Sequence, residues 1–362
     1  MASMFSLSAL LNKAVKGIPL VKEEIKYLLS LETEYDIELL HRVSRMVRKK
    51  HFGNKVFLYG FLYFSTYCTN DCIFCHFRNS NRDLVRYRKN EMETVEAAKQ
   101  LAVSGVHLID LTMGEDPAIY HPDFGLKRLL KLIERVRLET GLPVMVSPGA
   151  IPVQGIEEIS NTKVDWFACY QETHSRQLFK KLRPDQSFDY RMNTKLQAKK
   201  NGMLIEEGIL TGVGETLDDI ANSIDEMRFI KADQVRAMTF VPQQGTPMES
   251  IPPSDSRLEL IIISVMRLVL PTSLIPASLD LDGLSGLQKR LHAGANIITS
   301  IVPPGMGLTG VANSSLDIEE SKRSVKSINS ILHFSGLKAA SLVEYKNWLE
   351  SRKEKQGIFY HL

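Results

Sequence analysis

Short apolar β-prone runs alternate with amphipathic segments from residue 56 to residue 301, and this alternation restricts the fold most strongly. A parallel strand needs a crossover connection, usually a helix, before the next strand can pair with it. Eight such units fit into this stretch of the chain. They predict an α/β fold, a (β/α)8 TIM-type barrel, with a doubly wound open sheet as the alternative. Both folds place chemistry at the carboxyl ends of the strands.

The pattern also sets the bounds of the predicted elements. The predicted strands are 56–63, 107–111, 144–147, 166–170, 203–210, 234–240, 273–279 and 296–301. The predicted helices are 93–104, 123–140, 153–160, 190–201, 216–231, 255–270, 283–292 and 318–334. Periodic apolar positions at 21–29 and 34–48 predict helices before the barrel. We therefore expect a helical extension at 1–52, the barrel at 53–312 and a helical tail packed on the barrel at 313–362. The charged residues of this tail, Arg323 among them, are expected to form a solvated face.

Charge and hydropathy argue against two classes of partner. The chain has 45 Lys and Arg against 42 Asp and Glu, with no basic stripe suited to nucleic acid. Its most apolar window, 258–270, contains Glu259 and Arg267 and is shorter than the roughly 20 residues of a membrane-spanning helix. No secretion signal is visible at the amino terminus. We expect a cytoplasmic protein without nucleic-acid or membrane partners.

Three of the four cysteines lie in one short loop after the first predicted strand. The spacing Cys68-x3-Cys72-x2-Cys75 offers three soft thiolates, which suits an iron–sulfur cluster with one iron left open. A structural zinc site and three buried free cysteines are the alternatives. The fourth cysteine, Cys169, and His107 both lie in apolar strands, so we expect them to be core residues.

With Phe74 before its last cysteine, this loop resembles the signature of the radical S-adenosylmethionine superfamily. The resemblance implies a [4Fe-4S] cluster on the three cysteines, and S-adenosylmethionine that is cleaved to a 5′-deoxyadenosyl radical. A Met-Gly-Glu element at 113–115 resembles the Gly-Gly-Glu element of the superfamily, with Met113 in place of the first glycine. Arg191, or else Arg183, is expected to hold the methionine carboxylate. The implied cofactor contacts are Phe74, Gly114, Glu115, Ser147, Glu172, Arg183 and Arg191.

Within the superfamily the chain is most similar to the methylornithine synthases of pyrrolysine biosynthesis, in the biotin-synthase-like group. The similarity rests on the strings YFSTYC (63–68), DLTMGEDP (110–117), GILTGVG (208–214), RAMTFVPQ (236–243), PASLDL (276–281) and AGANI (293–297). It implies conversion of L-lysine to 3-methylornithine by hydrogen abstraction, cleavage of the Cα–Cβ bond and recombination. An external one-electron donor is implied as well. The alternatives are a related enzyme acting on another amino acid and a maturation scaffold that carries a cluster.

Polar residues within otherwise apolar strands form the candidate substrate site. Asp110, Arg236, Ser278 and Asp280 stand where a barrel interior is normally filled by branched apolar side chains. Lysine needs one cation for its carboxylate and anions for its two ammonium groups, because an unpaired buried charge costs several kcal/mol. The resemblance assigns all four residues to substrate. The alternative is an internal ion pair between Arg236 and Asp280 that only closes the barrel.

Overall fold

The computed structural model describes residues 5–119, 125–303, 305–312, 323–355 and 357. Three helices precede the barrel: α1 (Leu7–Val15), α2 (Lys22–Leu29) and α3 (Glu34–Phe52). The last begins where the Thr33 hydroxyl accepts a hydrogen bond from the N–H of Asp36 at 3.1 Å, and it packs against a barrel helix, α10 (Arg257–Val269). No described helix combines the length and apolarity needed to cross a bilayer.

Eight parallel strands form the barrel, as the alternation predicted. They are β1 (Lys55–Ser65), β2 (Leu108–Met113), β3 (Val144–Ser147), β4 (Trp166–Ala168), β5 (Leu204–Thr211), β6 (Gln234–Thr239), β7 (Pro276–Ser278) and β8 (Ile297–Ile301). The order β6-β5-β4-β3-β2-β1-β8-β7 keeps sequence neighbours side by side and has no reversal point. It therefore matches a barrel rather than a doubly wound open sheet.

The barrel closes between β6 and β7 only near the amino ends of these strands. Leu274 accepts a hydrogen bond from the N–H of Val235 and donates one to the carbonyl of Asp233, both at 2.9 Å. Beyond this bridge, no ladder joins β6 to β7 in the described residues. The closure is thus weakest toward the carboxyl ends, where the predicted site residues lie.

Helices cover the outside of the strands. They are α4 (Glu91–Ser104), α5 (Gly125–Thr140), α6 (Val153–Asn161), α7 (Arg176–Leu182), α8 (Phe188–Lys200), α9 (Leu217–Phe229), α10 and α11 (Gly283–His292). The sequence analysis did not predict α7. The predicted helices at 123–140 and 318–334 correspond to α5 and to α12 (Val325–Phe334), but residues 123, 124 and 318–322 lie outside the described part of the chain.

The floor of the barrel is sealed by the carboxyl-terminal helix α13 (Leu342–Lys355). The buried Tyr345 hydroxyl hydrogen-bonds the Tyr59 hydroxyl at 2.7 Å and accepts from Trp166 Nε1 at 3.1 Å. A short strand before it, β9 (Lys338–Ala339), pairs with the start of β1. The predicted core role of His107 is confirmed, because its ring is buried and bonds the Leu58 N–H at 2.8 Å. The amino-terminal face is therefore packed shut.

Candidate active site

One cavity at the carboxyl ends of the strands collects nearly all of the predicted site residues. Its lining includes Cys68, Cys72, Cys75, Asp110, Gly114, Glu115, Ser147, Glu172, Arg183, Arg191, Arg236, Ser278 and Asp280. Phe74 is the exception. Its ring packs in a separate apolar cluster and lies 5.3 Å from the guanidinium carbon of Arg183. Cys169 is buried as expected, yet it also borders the cavity.

The cysteine loop follows β1 and is anchored to two neighbouring segments. The N–H of Thr69 bonds the carbonyl of Glu115 at 3.0 Å, and the N–H of Ile73 bonds the carbonyl of Leu182 at 2.9 Å. The Cys72 sulfur accepts hydrogen bonds from Gln186 Nε2 at 3.0 Å and from an Arg183 nitrogen at 3.2 Å. These two donors hold the Cys72 sulfur in place at the edge of the cavity.

The donor set fits a cluster better than a single metal ion. Within the described residues, no three His, Cys, Asp or Glu side chains are arranged to hold one metal ion. Cys68, Cys72 and Cys75 nevertheless border the same cavity, and an iron–sulfur cluster spreads its thiolates over separate irons. Burial raises the pKa of the Cys68 and Cys75 thiols, so iron must displace their protons when it binds.

Gly114 lets the segment after β2 approach the cysteine loop. A Cβ atom here would lie 2.3 Å from the carbonyl oxygen of Tyr67 and 2.9 Å from the Cβ of Cys68, so a larger residue would displace the loop. Met113, which stands in place of the first glycine of the superfamily element, is 5% exposed and packs in the main core. Met113 therefore contacts the core and also borders the cavity.

Two neighbouring ion pairs line the cavity beside the loop that follows β4. Arg183 pairs with Glu172 at 2.8 Å, and Arg191 pairs with Glu115 at 3.1 Å. Both arginines also donate to the carbonyl oxygen of Tyr170, at 3.4 Å and 3.0 Å. The two candidates for binding the methionine carboxylate therefore belong to one cluster of charges.

Glu172 is held in an unusual backbone conformation. Its φ of +67° lies in the left-handed region, which residues other than glycine rarely adopt. Its N–H bonds the carbonyl of Gly208 at 3.0 Å, while the preceding N–H, of Gln171, bonds a Glu207 carboxylate oxygen at 2.7 Å. Burial raises the pKa of Glu172, and its Oε2 has no hydrogen-bond partner among the described residues. This oxygen remains available to a ligand.

Deeper in the cavity lies the inner chamber, the part bordered by Asp110, Arg236, Ser278 and Asp280. Arg236 pairs with Glu206 at 2.8 Å and donates to the Thr299 hydroxyl at 3.2 Å. The alternative ion pair between Arg236 and Asp280 is thus not formed.

Asp280 instead has partners from the end of the chain. Its carboxylate pairs with Arg323 at 3.3 Å and accepts the N–H of Ala312 at 2.7 Å. Asp280 follows β7 rather than lying within it, because the strand ends at Ser278. The Ser278 hydroxyl accepts the N–H of Asp280 at 3.2 Å, which fixes this turn at the chamber wall.

Asp110 lies on β2 and is 7% exposed. It accepts hydrogen bonds from the hydroxyls of Thr112 at 3.0 Å and Ser147 at 3.4 Å. Burial, together with the charge of Glu206, raises the pKa of Asp110 to about 7. This carboxyl can therefore change its protonation state near neutral pH.

Two charged residues that pair with chamber residues were missed by the sequence analysis. Glu206 is a charged residue in the apolar strand β5, the same signal that identified Asp110, and it could have been found. Arg323 was expected on a solvated face, and this expectation was wrong, because the residue is 3% exposed and pairs with Asp280. No local sequence pattern indicates a contact between residues 43 positions apart.

Comparison with known proteins gives a consistent set of relatives. Residues 62–227 match the model of the Radical SAM superfamily. The chain is 45% identical to the 3-methylornithine synthase of Methanosarcina acetivorans, over 93% of this chain and 95% of that protein. It is 32% identical to the [FeFe] hydrogenase maturase subunit HydE of Thermotoga maritima, over 76% of this chain and 79% of that one. A crystal structure of methylornithine synthase (PylB) superposes with a TM-score of 0.88 at 44% identity, covering 94% of this chain and 99% of that one.

Proposed function

The chain belongs to the methylornithine synthase family of radical S-adenosylmethionine enzymes, and from this premise we propose that its inner chamber rearranges L-lysine into 3-methylornithine for pyrrolysine biosynthesis. The observation that carries the proposal is the similarity to 3-methylornithine synthases along nearly the whole chain. The chamber chemistry supports it, since it offers a guanidinium group and several carboxylates to an amino acid with two ammonium groups. The enzyme is an isomerase.

As a member of this family the enzyme uses a [4Fe-4S] cluster and S-adenosylmethionine, which together supply hydrogen-atom abstraction by a carbon radical. We assign the cluster to Cys68, Cys72 and Cys75. The cofactor contacts in this proposal are Phe74, Gly114, Glu115, Ser147, Glu172, Arg183 and Arg191. An external one-electron donor completes the set of partners.

The charged groups around the cofactor pocket are already paired before any ligand binds. Glu172 keeps one free carboxylate oxygen for an ammonium or a ribose hydroxyl. Arg191 is fixed by Glu115 and the carbonyl of Tyr170, so its guanidinium group needs little reorganisation to receive a carboxylate. Such fixed groups orient the cofactor at low entropic cost.

In the inner chamber we assign the lysine carboxylate to Arg236 and the two ammonium groups to Asp110 and Asp280, with Ser278 as a hydrogen-bonding partner. Arg236 is oriented by its hydrogen bonds to Glu206 and to the Thr299 hydroxyl. All four substrate residues are 7% exposed or less, so the chamber is shielded from bulk solvent. Charged contacts at both ends of lysine keep both parts of the substrate in the chamber while the carbon skeleton is rearranged.

We keep the division of the chain into a helical extension at 1–52, a catalytic barrel at 53–312 and a carboxyl-terminal tail at 313–362. The barrel carries every residue assigned above. The tail adds Arg323 behind Asp280 and Tyr345 at the floor.

The experiment that tests the function is mass analysis of the product formed from isotopically labelled L-lysine by the anaerobic, reduced holoenzyme. We expect 3-methylornithine carrying every labelled carbon, together with 5′-deoxyadenosine formation that rises when lysine is added. Methyl or sulfur transfer to another amino acid would indicate a different biotin-synthase-like enzyme. A cluster-containing protein that does not cleave S-adenosylmethionine would instead be a maturation scaffold.

A further inference from the structure

Among the residues that the structure describes, the buried acids and bases at the inner chamber are unequal in number. Asp110, Glu206 and Asp280 are buried acids, whereas Arg236 and Arg323 are the buried cations that pair with them. Arg236 forms an ion pair with Glu206, and Arg323 forms one with Asp280. One carboxyl group, that of Asp110, is left over.

The surroundings of Asp110 confirm that it is the unpaired member. Within the described part of the chain no Lys, Arg or His nitrogen lies within 4 Å of its carboxylate, which is bound only by two hydroxyl groups. The other ionisable groups that act on it are Tyr59 from β1, Tyr170 after β4, Glu206 from β5 and Arg236 from β6. Burial raises the pKa of both tyrosines well above 10, so they are neutral. The guanidinium group of Arg236 is already paired with Glu206.

Lysine carries two ammonium groups and one carboxylate near neutral pH, which is a net charge of one positive unit. We propose that Asp110 holds a proton while the inner chamber is empty and releases it when lysine binds, so that the net positive charge of the substrate meets a carboxylate that has no cation among the described residues. This inference rests on the proposed function. It makes Asp110 a residue that selects ligands by net charge as well as by shape.

Geometry and energetics agree on the direction of the effect. A buried carboxylate without a cation is costly, and protonation removes that cost. With the pKa of Asp110 at about 7, most empty molecules hold the proton at pH 6 and few hold it at pH 8. Lysine binds the ionised form, so its apparent Kd should be about tenfold weaker at pH 6 than at pH 8.

Calorimetry of lysine binding tests the proposal without turnover. The anaerobic holoenzyme, with its cluster unreduced and S-adenosylmethionine bound, is titrated with L-lysine in two buffers of different ionisation enthalpy. We expect release of close to one proton per lysine at pH 6 and little release at pH 8. Norleucine, which is lysine without its side-chain ammonium, should release no proton.

Two variants form a matched pair. Asp110→Asn removes the titrating carboxyl and should abolish proton release, whereas Asp116→Asn alters a buried acid that is paired with Arg88 outside the cavity and should leave it intact. Should Asp110→Asn bind lysine too weakly for calorimetry, infrared difference spectra of the wild type provide the second measurement. Lysine should then remove a protonated-carboxyl band that Asp110→Asn lacks.

The outcomes separate the two proposals. If lysine does not bind at either pH, the proposed function fails. If lysine binds at pH 6 without proton release, the function stands and the inference is overturned. If Asp110→Asn still releases a proton, another group is its source and the assignment to Asp110 is wrong.

Discussion

The ion pair between Lys195 and Glu207 supports the segment that carries Glu172, and breaking it tests how the site is held. Both side chains are fully buried, and Glu207 also accepts hydrogen bonds from the N–H groups of Gln171 and Gly208. Burial by itself would raise the pKa of Glu207, but the Lys195 charge and a nearby histidine lower it to about 2. The pair therefore ties helix α8 to β5 and to the loop after β4.

The size of the effect follows from this pKa. The difference from the ordinary value of 4.5 corresponds to about 3 kcal/mol. Because the folded-state pKa of Glu207 is the lower one, this stability is present above pH 4.5 and is lost as the pH falls toward 2. Lys195→Met leaves the carboxylate buried without its cation, so we expect a loss of about 3–5 kcal/mol at pH 7. The loss should be smaller at pH 5, where the orphaned carboxyl group can take up a proton.

Anaerobic urea denaturation at pH 7 and pH 5 measures this loss, and S-adenosylmethionine affinity measures its effect on the site. Arg191 lies one helical turn before Lys195 on α8, so we expect binding to weaken as well. Lys199→Met is the matched control, because Lys199 lies on the same helix, is 18% exposed and should cost about 1 kcal/mol or less. If the two variants unfold alike at pH 7, the reasoning is refuted.

Three further predictions concern the cluster, the cofactor and the substrate. The wild-type protein should be brown and contain about four irons per chain, whereas Cys72→Ala should fold but lose both the colour and the iron. A colourless wild-type protein with one zinc per chain would contradict this prediction. Arg191→Ala should weaken S-adenosylmethionine binding by about 1.5–3 kcal/mol in equilibrium titration, with a smaller effect on lysine. Unchanged cofactor binding would transfer the role to Arg183. Arg236→Lys keeps a charge beside Glu206 but lacks the fork for a carboxylate, so product formation should collapse while the thermal midpoint changes little. Near wild-type product formation would make Arg236 structural.

Local periodicity predicted the elements of the barrel well, and its errors have local causes. The bounds of β3 and α11 agree with prediction, since each is a compact run with clear ends. The prediction for β4 extended too far because apolar residues continue into the loop that carries the site. The prediction for β7 also included residues 273–275, where Leu274 makes only an isolated bridge to β6. Helix α7 has only seven residues after a polar loop, too short for a periodic signal.

The site was predictable where its residues share one local signal and not where partners come from afar. Charged residues in apolar strands identified Asp110 and Arg236, and the same criterion applied to β5 would have added Glu206 together with its neighbour Glu207. Arg323 lies 43 residues after Asp280, with strand β8 between them, so a local sequence pattern cannot include both residues. Its burial depends on how the tail packs, which composition does not encode.

The tyrosine that seals the barrel floor has a consequence for how the protein is made. Tyr345 bonds Tyr59, which the ribosome adds 286 residues earlier, and Trp166, which it adds 179 residues earlier. During synthesis, the barrel strands therefore leave the ribosome with the apolar residues of the barrel floor exposed, until the helix that carries Tyr345 has emerged. Contacts between residues this far apart in sequence form slowly, because the entropy of closing a long loop is lost before the contact energy is gained. We expect a nascent chain arrested before residue 345 to engage chaperones, even though its cysteine loop is complete.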